Sequence, residues 1–251
     1  PPGGALAADA PITTLAGTAA GLAGDGGPAT QAQISGAQGV ALAARRRGIP
    51  AVIVMPQTTP AIKVQAVIDL GGEVLLHGDD YDTAYDRSVV IARERNLVFV
   101  HPFDDPDVIA GQGTIGMDIA RQSRGQLDAV FVPVGGGGLI AGIAVYLKFL
   151  YPRVKIIGVN AADSTAMTQS LRAGQRVALD RVGIFADGVA VRRVGEEPFR
   201  LAKQFVDEML TVDTDEICAG VQDIFEDTRS VVEPAGALAV AAIKKYVARE
   251  K

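Results

Sequence analysis

The chain has 251 residues, with 24 Lys and Arg against 29 Asp and Glu, a formal charge of -5, and 48% hydrophobic against 21% charged residues. That balance can bury a core and excludes disorder as the main state, and its acidic sign argues against nucleic acid as a partner. One cysteine allows no internal disulfide and two histidines leave little for a metal site. No run approaches the roughly 18 apolar residues of a membrane span, and no charged and apolar leader opens the chain, so the expectation is a cytoplasmic protein without membrane or metal.

Composition changes along the chain. Residues 1–36 hold no Lys, no Arg and no aromatic, and ten Ala, eight Gly and four Pro dominate them. An ordinary enzyme-like composition begins by Arg45, which places a junction between Ser35 and Val40. Beyond it, strand and helix signals alternate. Gln38–Arg47 reads as a helix stopped by Gly48 and Pro50, and Ala51–Met55 as a buried strand. Thr58 and Thr59 supply a predicted cap, and Pro60 an early-turn proline, for a helix carrying Ile62, Val64, Val67 and Leu70. Glu73–His77 is a strand, Asp79–Arg95 a helix, Leu97–Val100 a strand, and Asp105–Gln122 a helix broken in places by glycine.

A second series follows. Ala129–Val134 is a strand, Gly135–Gly138 a glycine turn, and Leu139–Leu150 an apolar helix. Val154–Val159 is a strand and Ser164–Leu171 a helix. Helices over Glu196–Asp207 and Asp213–Asp227 flank a strand at Met209–Val212, and Glu233–Pro234 opens a last helix through Val247. This alternation predicts an α/β fold with parallel sheets covered by helices on both faces.

The four-glycine turn is the sharpest chemical signal. Between an apolar strand and an apolar helix, its N–H groups and the helix dipole can hold an anion, and glycine lets the backbone approach closely. No Gly-Lys-Ser/Thr follows and the spacing is not GxGxxG, so neither common nucleotide motif is present. A tight turn that simply needs room explains the glycines equally well. Cys218 beside Ile217, Val221 and Ile224 reads as core packing. The aspartates at 79, 80 and 82, and at 104, 105 and 107, read as solvated helix caps, and Arg45–Arg47 as complements to a helix dipole. His77 and His101 each follow a strand in a loop. Glu233 either complements a helix N-terminus or faces a ligand at the carboxyl end of a sheet.

From Ala37 to Lys251 the chain resembles the biosynthetic threonine deaminase family. The segments that carry the resemblance include IPAVIVMP, GGEVLLHG, VHPFDDPDVIAGQGTIGMDI, VFVPVGGGGLIAG, RVGIFADGVAVRRVG and VVEPAGALAVAAIKKY. The resemblance implies a fold-type II enzyme of the tryptophan-synthase β group, built from two three-layer parallel-sheet domains. The smaller would span 37–104 and the larger 105–251, with both truncated. It implies pyridoxal 5'-phosphate as cofactor, with Gly135, Gly136, Gly137 and Gly138 cradling its phosphate, Gly188 approaching its ring and Glu233 beside it. The implied reaction converts L-threonine to 2-oxobutanoate and ammonia, as in isoleucine biosynthesis, with the cofactor as electron sink.

That family's Schiff-base lysine stands upstream in a Ser-Phe-Lys motif, whereas the first lysine here is Lys63, in a helix whose family counterpart is not catalytic. Gln33–Gly36 stands where the family has Ser-Ala-Gly-Asn-His, and Lys251 precedes the family's Ser-Gly-rich segment. No catalytic residue is therefore assigned, and negligible deaminase activity is expected of this chain alone. The alternatives are a non-catalytic phosphate- or cofactor-binding remnant, a recombinant scaffold, and a related serine/threonine dehydratase or serine racemase. Apolar surface left open by truncation would favour a homo-oligomer.

The stretch ITTLAGTAAGLAGDGGPATQAQISGAQGVAL resembles the opening of an NHL-type β-propeller repeat, which implies a chimera. A blade needs four strands and neighbouring blades, so residues 1–36 are expected to form a loose arm, or to patch a sheet edge through Ile12–Ala16.

Overall fold

A computed structural model describes residues 12–15, 36–123 and 127–250 of the chain. Apart from the short strand below, the loose arm expected over 1–36 lies outside these residues. Two compact units form, the first ending at Pro102 and the second running from Phe103 onward.

The first unit is a four-stranded parallel sheet of β1 (Ile12–Leu15), β2 (Ala51–Met55), β3 (Glu73–Leu76) and β4 (Val98–Val100), in the order β3-β2-β1-β4. Here the structure corrects the sequence reading. Strand β1 is not an edge patch, because it pairs on both sides, with Thr14 opposite Ile53 in β2 and opposite Val100 in β4. Every residue of β2 is buried, as expected for a parallel strand with both faces covered. Around the sheet lie α1 (Gly36–Arg47), α2 (Ala61–Asp69) and α3 (Tyr81–Glu94). Gly48 takes a left-handed conformation at the end of α1, as a helix stop should. The expected threonine cap of α2 is absent: Pro60 occupies the cap position without a side-chain bond, and Thr58 Oγ1 donates instead to the Asp79 carbonyl at 3.1 Å. Asp80 does cap α3, accepting the Thr83 N–H at 2.8 Å.

The second unit has a parallel sheet of β5 (Ala129–Pro133), β6 (Lys155–Ala161) and β7 (Glu208–Val212) in that order. On one face Val132, Ile140, Ile143, Leu147, Ile156 and Met167 form a core from the sheet, α5 (Gly138–Leu150) and α6 (Ala166–Ala173). On the other face Val159, Ala161 and Val212 meet Ile217 of α8 (Thr214–Thr228) and Leu238 and Ala241 of α9 (Pro234–Glu250). The alternation of Ile156 with Val159 and Ala161 along β6 sends successive side chains to opposite cores. Helix α4 (Pro106–Ser123) runs unbroken through Gly111, Gly113 and Gly116, contrary to the sequence reading. Its glycines admit α5 instead: a Cβ on Gly116 would stand 3.3 Å from the Tyr146 Cβ. Cys218 is exposed rather than packed in the core, because α8 turns Ile217 and Gly220 inward and Cys218 outward.

Charged pairs fasten α9 to the sheet. Arg249 grips Glu208, at the start of β7, with Nη1–Oε1 at 2.5 Å and Nη2–Oε2 at 3.2 Å. The hydrogen bond from Arg249 holds the Glu208 carboxyl below its ordinary range, against a smaller opposing effect of burial. A depressed carboxyl stabilises the fold above its unfolded pKa, and that stability is lost as pH falls through the folded value. Glu208→Gln is therefore expected to cost about 0.2–1 kcal/mol at neutral pH, as a half-exposed pair should. The difference from the parent should shrink at an acidic pH low enough to protonate the Glu208 carboxyl in the fold. Urea unfolding of the two proteins at both pH values checks it. Among the described residues no helix is long and apolar enough to cross a membrane.

Candidate functional site

The glycine turn leaves the carboxyl end of β5, on which Val134 is anchored by its N–H to the Val159 carbonyl at 2.8 Å. Gly136, Gly137 and Gly138 are buried, and Gly137 has φ +98°, a conformation that side-chain-bearing residues rarely adopt. Four neighbours press on the turn. A Cβ on Gly135 would lie 3.0 Å from the Val189 Cα, and one on Gly136 would run into the Phe103 ring. On Gly137 it would lie 2.6 Å from Met167 Cε and 2.9 Å from Pro198 Cβ, and on Gly138 2.9 Å from Phe103 Cβ. The glycines are thus required twice over, by backbone conformation at Gly137 and by close packing at all four.

What the turn leaves open is a row of donors. The Gly136 carbonyl accepts the Gly195 N–H at 3.0 Å and the Gly137 carbonyl accepts the Ala141 N–H at 3.0 Å. The N–H groups from Gly135 through Ile140 have no acceptor among the described residues. They lie in the turn and the first turn of α5, where the helix dipole adds positive potential. Such an array suits a phosphate dianion, and the turn passes that test of fit for a phosphorylated cofactor.

Two further candidates lie nearby. Gly188 is buried in a one-turn 3₁₀ helix, Asp187–Val189, whose Val189 backbone abuts Gly135. Ala186 and Val189 of that segment share a core with Ala235 and Leu238 of α9, the helix that begins directly after Glu233. Glu233 is half-buried, and its carbonyl accepts the Gly236 N–H at 2.9 Å. The glycine turn, Gly188 and the start of α9 therefore belong to one neighbourhood of the second unit. His77, His101 and Lys63 belong to the first unit: His77 is exposed, His101 packs against Tyr85 and Phe99, and Lys63 lies on α2.

The sequence reading missed the support of the turn. Of the aspartates taken together as caps, Asp105 does cap α4, accepting the Asp107 N–H at 2.8 Å and the Val108 N–H at 3.1 Å. Asp104 reaches a helix far along the chain, α7 (Glu196–Phe205), and accepts the Glu196 and Glu197 N–H groups at 2.8 and 2.9 Å. Nothing local in Phe-Asp-Asp-Pro separates the two roles. On the same turn of α7, Glu197 accepts two hydrogen bonds from Arg200, at 2.8 and 2.6 Å, which hold its carboxyl below the ordinary range.

The profile of the family described as pyridoxal-phosphate dependent enzyme matches residues 14–251. The chain belongs to that family. The match begins at Thr14, inside the stretch that resembles a propeller repeat, so a propeller origin for β1 gains no support. The chain is 58% identical over 217 residues to the biosynthetic L-threonine dehydratase IlvA of Burkholderia multivorans, covering 85% of this chain and 43% of that protein. It is 59% identical over 210 residues to the biosynthetic, chloroplastic threonine dehydratase of Arabidopsis thaliana, covering 84% of this chain and 36% of that one. Among solved structures, the processed form of threonine deaminase isoform 2 from Solanum lycopersicum superposes with a TM-score of 0.80 at 44% identity, covering 93% of this chain and 63% of that one. This pyridoxal-phosphate-dependent family member thus spans less than half the length of the curated relatives it matches. The fold is that of fold-type II enzymes, as the resemblance implies.

Proposed function

We propose that the turn Gly135–Gly138 and the first turn of α5 bind the phosphate of pyridoxal 5'-phosphate, with Gly188 approaching the ring by its backbone and Glu233 beside it. We place the chain in a threonine dehydratase that converts L-threonine to 2-oxobutanoate and ammonia. The observation that carries this reading is the row of N–H groups from Gly135 to Ile140 without acceptors among the described residues, on a helix N-terminus. When bound, the cofactor supplies the electron sink for loss of the Cα proton and the β-hydroxyl. The chain's own contribution is to hold the phosphate against a rigid turn and, through Gly188, to let the backbone approach the ring. The single cysteine fits a reducing compartment, the cytoplasm.

A non-catalytic role for these 251 residues by themselves is favoured by one specific observation. Their first lysine is Lys63, on α2, whereas the resemblance places the Schiff-base lysine upstream of that position. Removing a covalent catalyst costs orders of magnitude, so turnover of L-threonine by this chain is expected to fall about a thousandfold or more below that of a complete dehydratase. Titration with pyridoxal 5'-phosphate, borohydride reduction and mass mapping, beside a turnover assay, separates the readings. Saturable binding without a uniquely trapped lysine supports the cradle without chemistry. One trapped lysine with turnover would restore full activity to the chain, and no binding would remove the cradle.

A further inference from the structure

The support of the glycine turn comes from the Phe103–Asp104 segment. Phe103 lies against the turn twice, its ring where Gly136 lacks a Cβ and its Cβ and Cα at 2.9 and 3.0 Å from the Cβ that Gly138 lacks. The next residue, Asp104, takes the first two N–H groups of α7 on its two carboxylate oxygens, Glu196 at 2.8 Å and Glu197 at 2.9 Å. Helix α7 in turn touches the glycine turn at two points. The Gly195 N–H donates to the Gly136 carbonyl at 3.0 Å, and Pro198 packs where Gly137 lacks a side chain. The contacts close a ring: Phe103 on the turn, Asp104 on the start of α7, and the start of α7 back on the turn.

We propose that Asp104, with Phe103, is a positioning residue of the phosphate-binding turn, fixing the carbonyl of Gly136 so that the neighbouring N–H groups point outward together. This rests on the reading of the turn as a phosphate site. A peptide unit carries its C=O and the following N–H in one plane, so anchoring the Gly136 carbonyl also sets the direction of the Gly137 N–H. On this account Asp104 acts on the turn through α7. Its loss should therefore weaken phosphate binding beyond what the lost helix cap alone would do.

The test uses the 251-residue chain and its affinity for pyridoxal 5'-phosphate, read by absorbance and by competition with inorganic phosphate. Asp104→Ala is expected to raise the dissociation constant about fivefold, the equivalent of one helix cap fully coupled to the site. Asp104→Asn, which keeps one acceptor, should recover part of that loss. Asp213→Ala is the control, because Asp213 caps α8 through the Glu216 N–H at 2.8 Å. It should lower the urea midpoint comparably and leave the dissociation constant unchanged. Parent-like binding by Asp104→Ala, or equal weakening by Asp213→Ala, overturns the positioning role while leaving the phosphate reading in place. Absence of saturable binding by the parent overturns both. Should Asp104→Ala fail to fold, hydrogen exchange of Asp104→Asn decides: faster exchange at Gly195 supports the tether, and unchanged exchange there overturns it.

Discussion

Gly137→Ala is expected to weaken binding of pyridoxal 5'-phosphate about tenfold or more and to destabilise the second unit by about 2–4 kcal/mol. Two causes add. At φ +98° an alanine is strained, and its Cβ would stand 2.6 Å from Met167 Cε and 2.9 Å from Pro198 Cβ. Met167 ends in a flexible thioether that can yield, but Pro198 is a ring at the start of α7 and cannot move without taking Gly195 and the Gly136 carbonyl with it. Gly174→Ala separates the two causes. Gly174 also has positive φ, +71°, yet nothing lies within 4 Å of its missing Cβ. That variant should cost only the conformational part, about 1 kcal/mol, and leave cofactor affinity alone. Urea unfolding and cofactor titration of both variants check the comparison.

Gly142→Ala is expected to cost about 2–4 kcal/mol, with little direct effect on the glycine turn's chemistry. Gly142 is buried where α5 crosses α4, and its Cβ would run into the Ile109 carbonyl and lie 2.6 Å from the Gly113 N. These are main-chain atoms of a continuous helix, so relief requires the two helices to separate along their contact. Gly111→Ala on the same α4 has nothing within 4 Å of its Cβ and should be neutral or mildly stabilising, since alanine favours helix by about 1 kcal/mol over glycine. Opposite signs for two glycines in one packed helix pair, read by thermal or urea unfolding, would establish that close approach rather than flexibility explains Gly142.

These pairs also show what was legible in the sequence. The strand Ala51–Met55 has the same bounds in sequence and structure, because an unbroken apolar run between Pro50 and Pro56 has one reading when both sheet faces are covered. The glycines of α4 read locally as breaks, because glycine weakens a helix and only the partner α5 shows what the missing side chains admit. Thr58 and Thr59 formed a plausible cap by local pattern, yet Thr58 bonds a carbonyl 21 residues on, in the loop before α3. Cys218 needed the rotational phase of α8, which Ile217 and Gly220 set. Strand β1 is the largest departure: its short Ile-Thr-Thr-Leu run suggests at most an edge patch, and only pairing with both β2 and β4 shows it as an interior strand.

For the site, the glycine turn was visible because its chemistry is local: strand, four glycines, helix. Asp104 was not, since its partners Glu196 and Glu197 lie more than 90 residues away and its neighbours Asp105 and Asp107 offered a complete local explanation.

The N–H groups from Gly135 to Ile140 are proposed as the phosphate cradle of this family member. Amide chemical shifts of the 15N-labelled chain, recorded during titration with inorganic phosphate and then with pyridoxal 5'-phosphate, test it most directly. Saturable shifts for both ligands, largest at Gly135–Ile140, are expected. Shifts that never saturate, or that saturate elsewhere while these amides stay still, would contradict it.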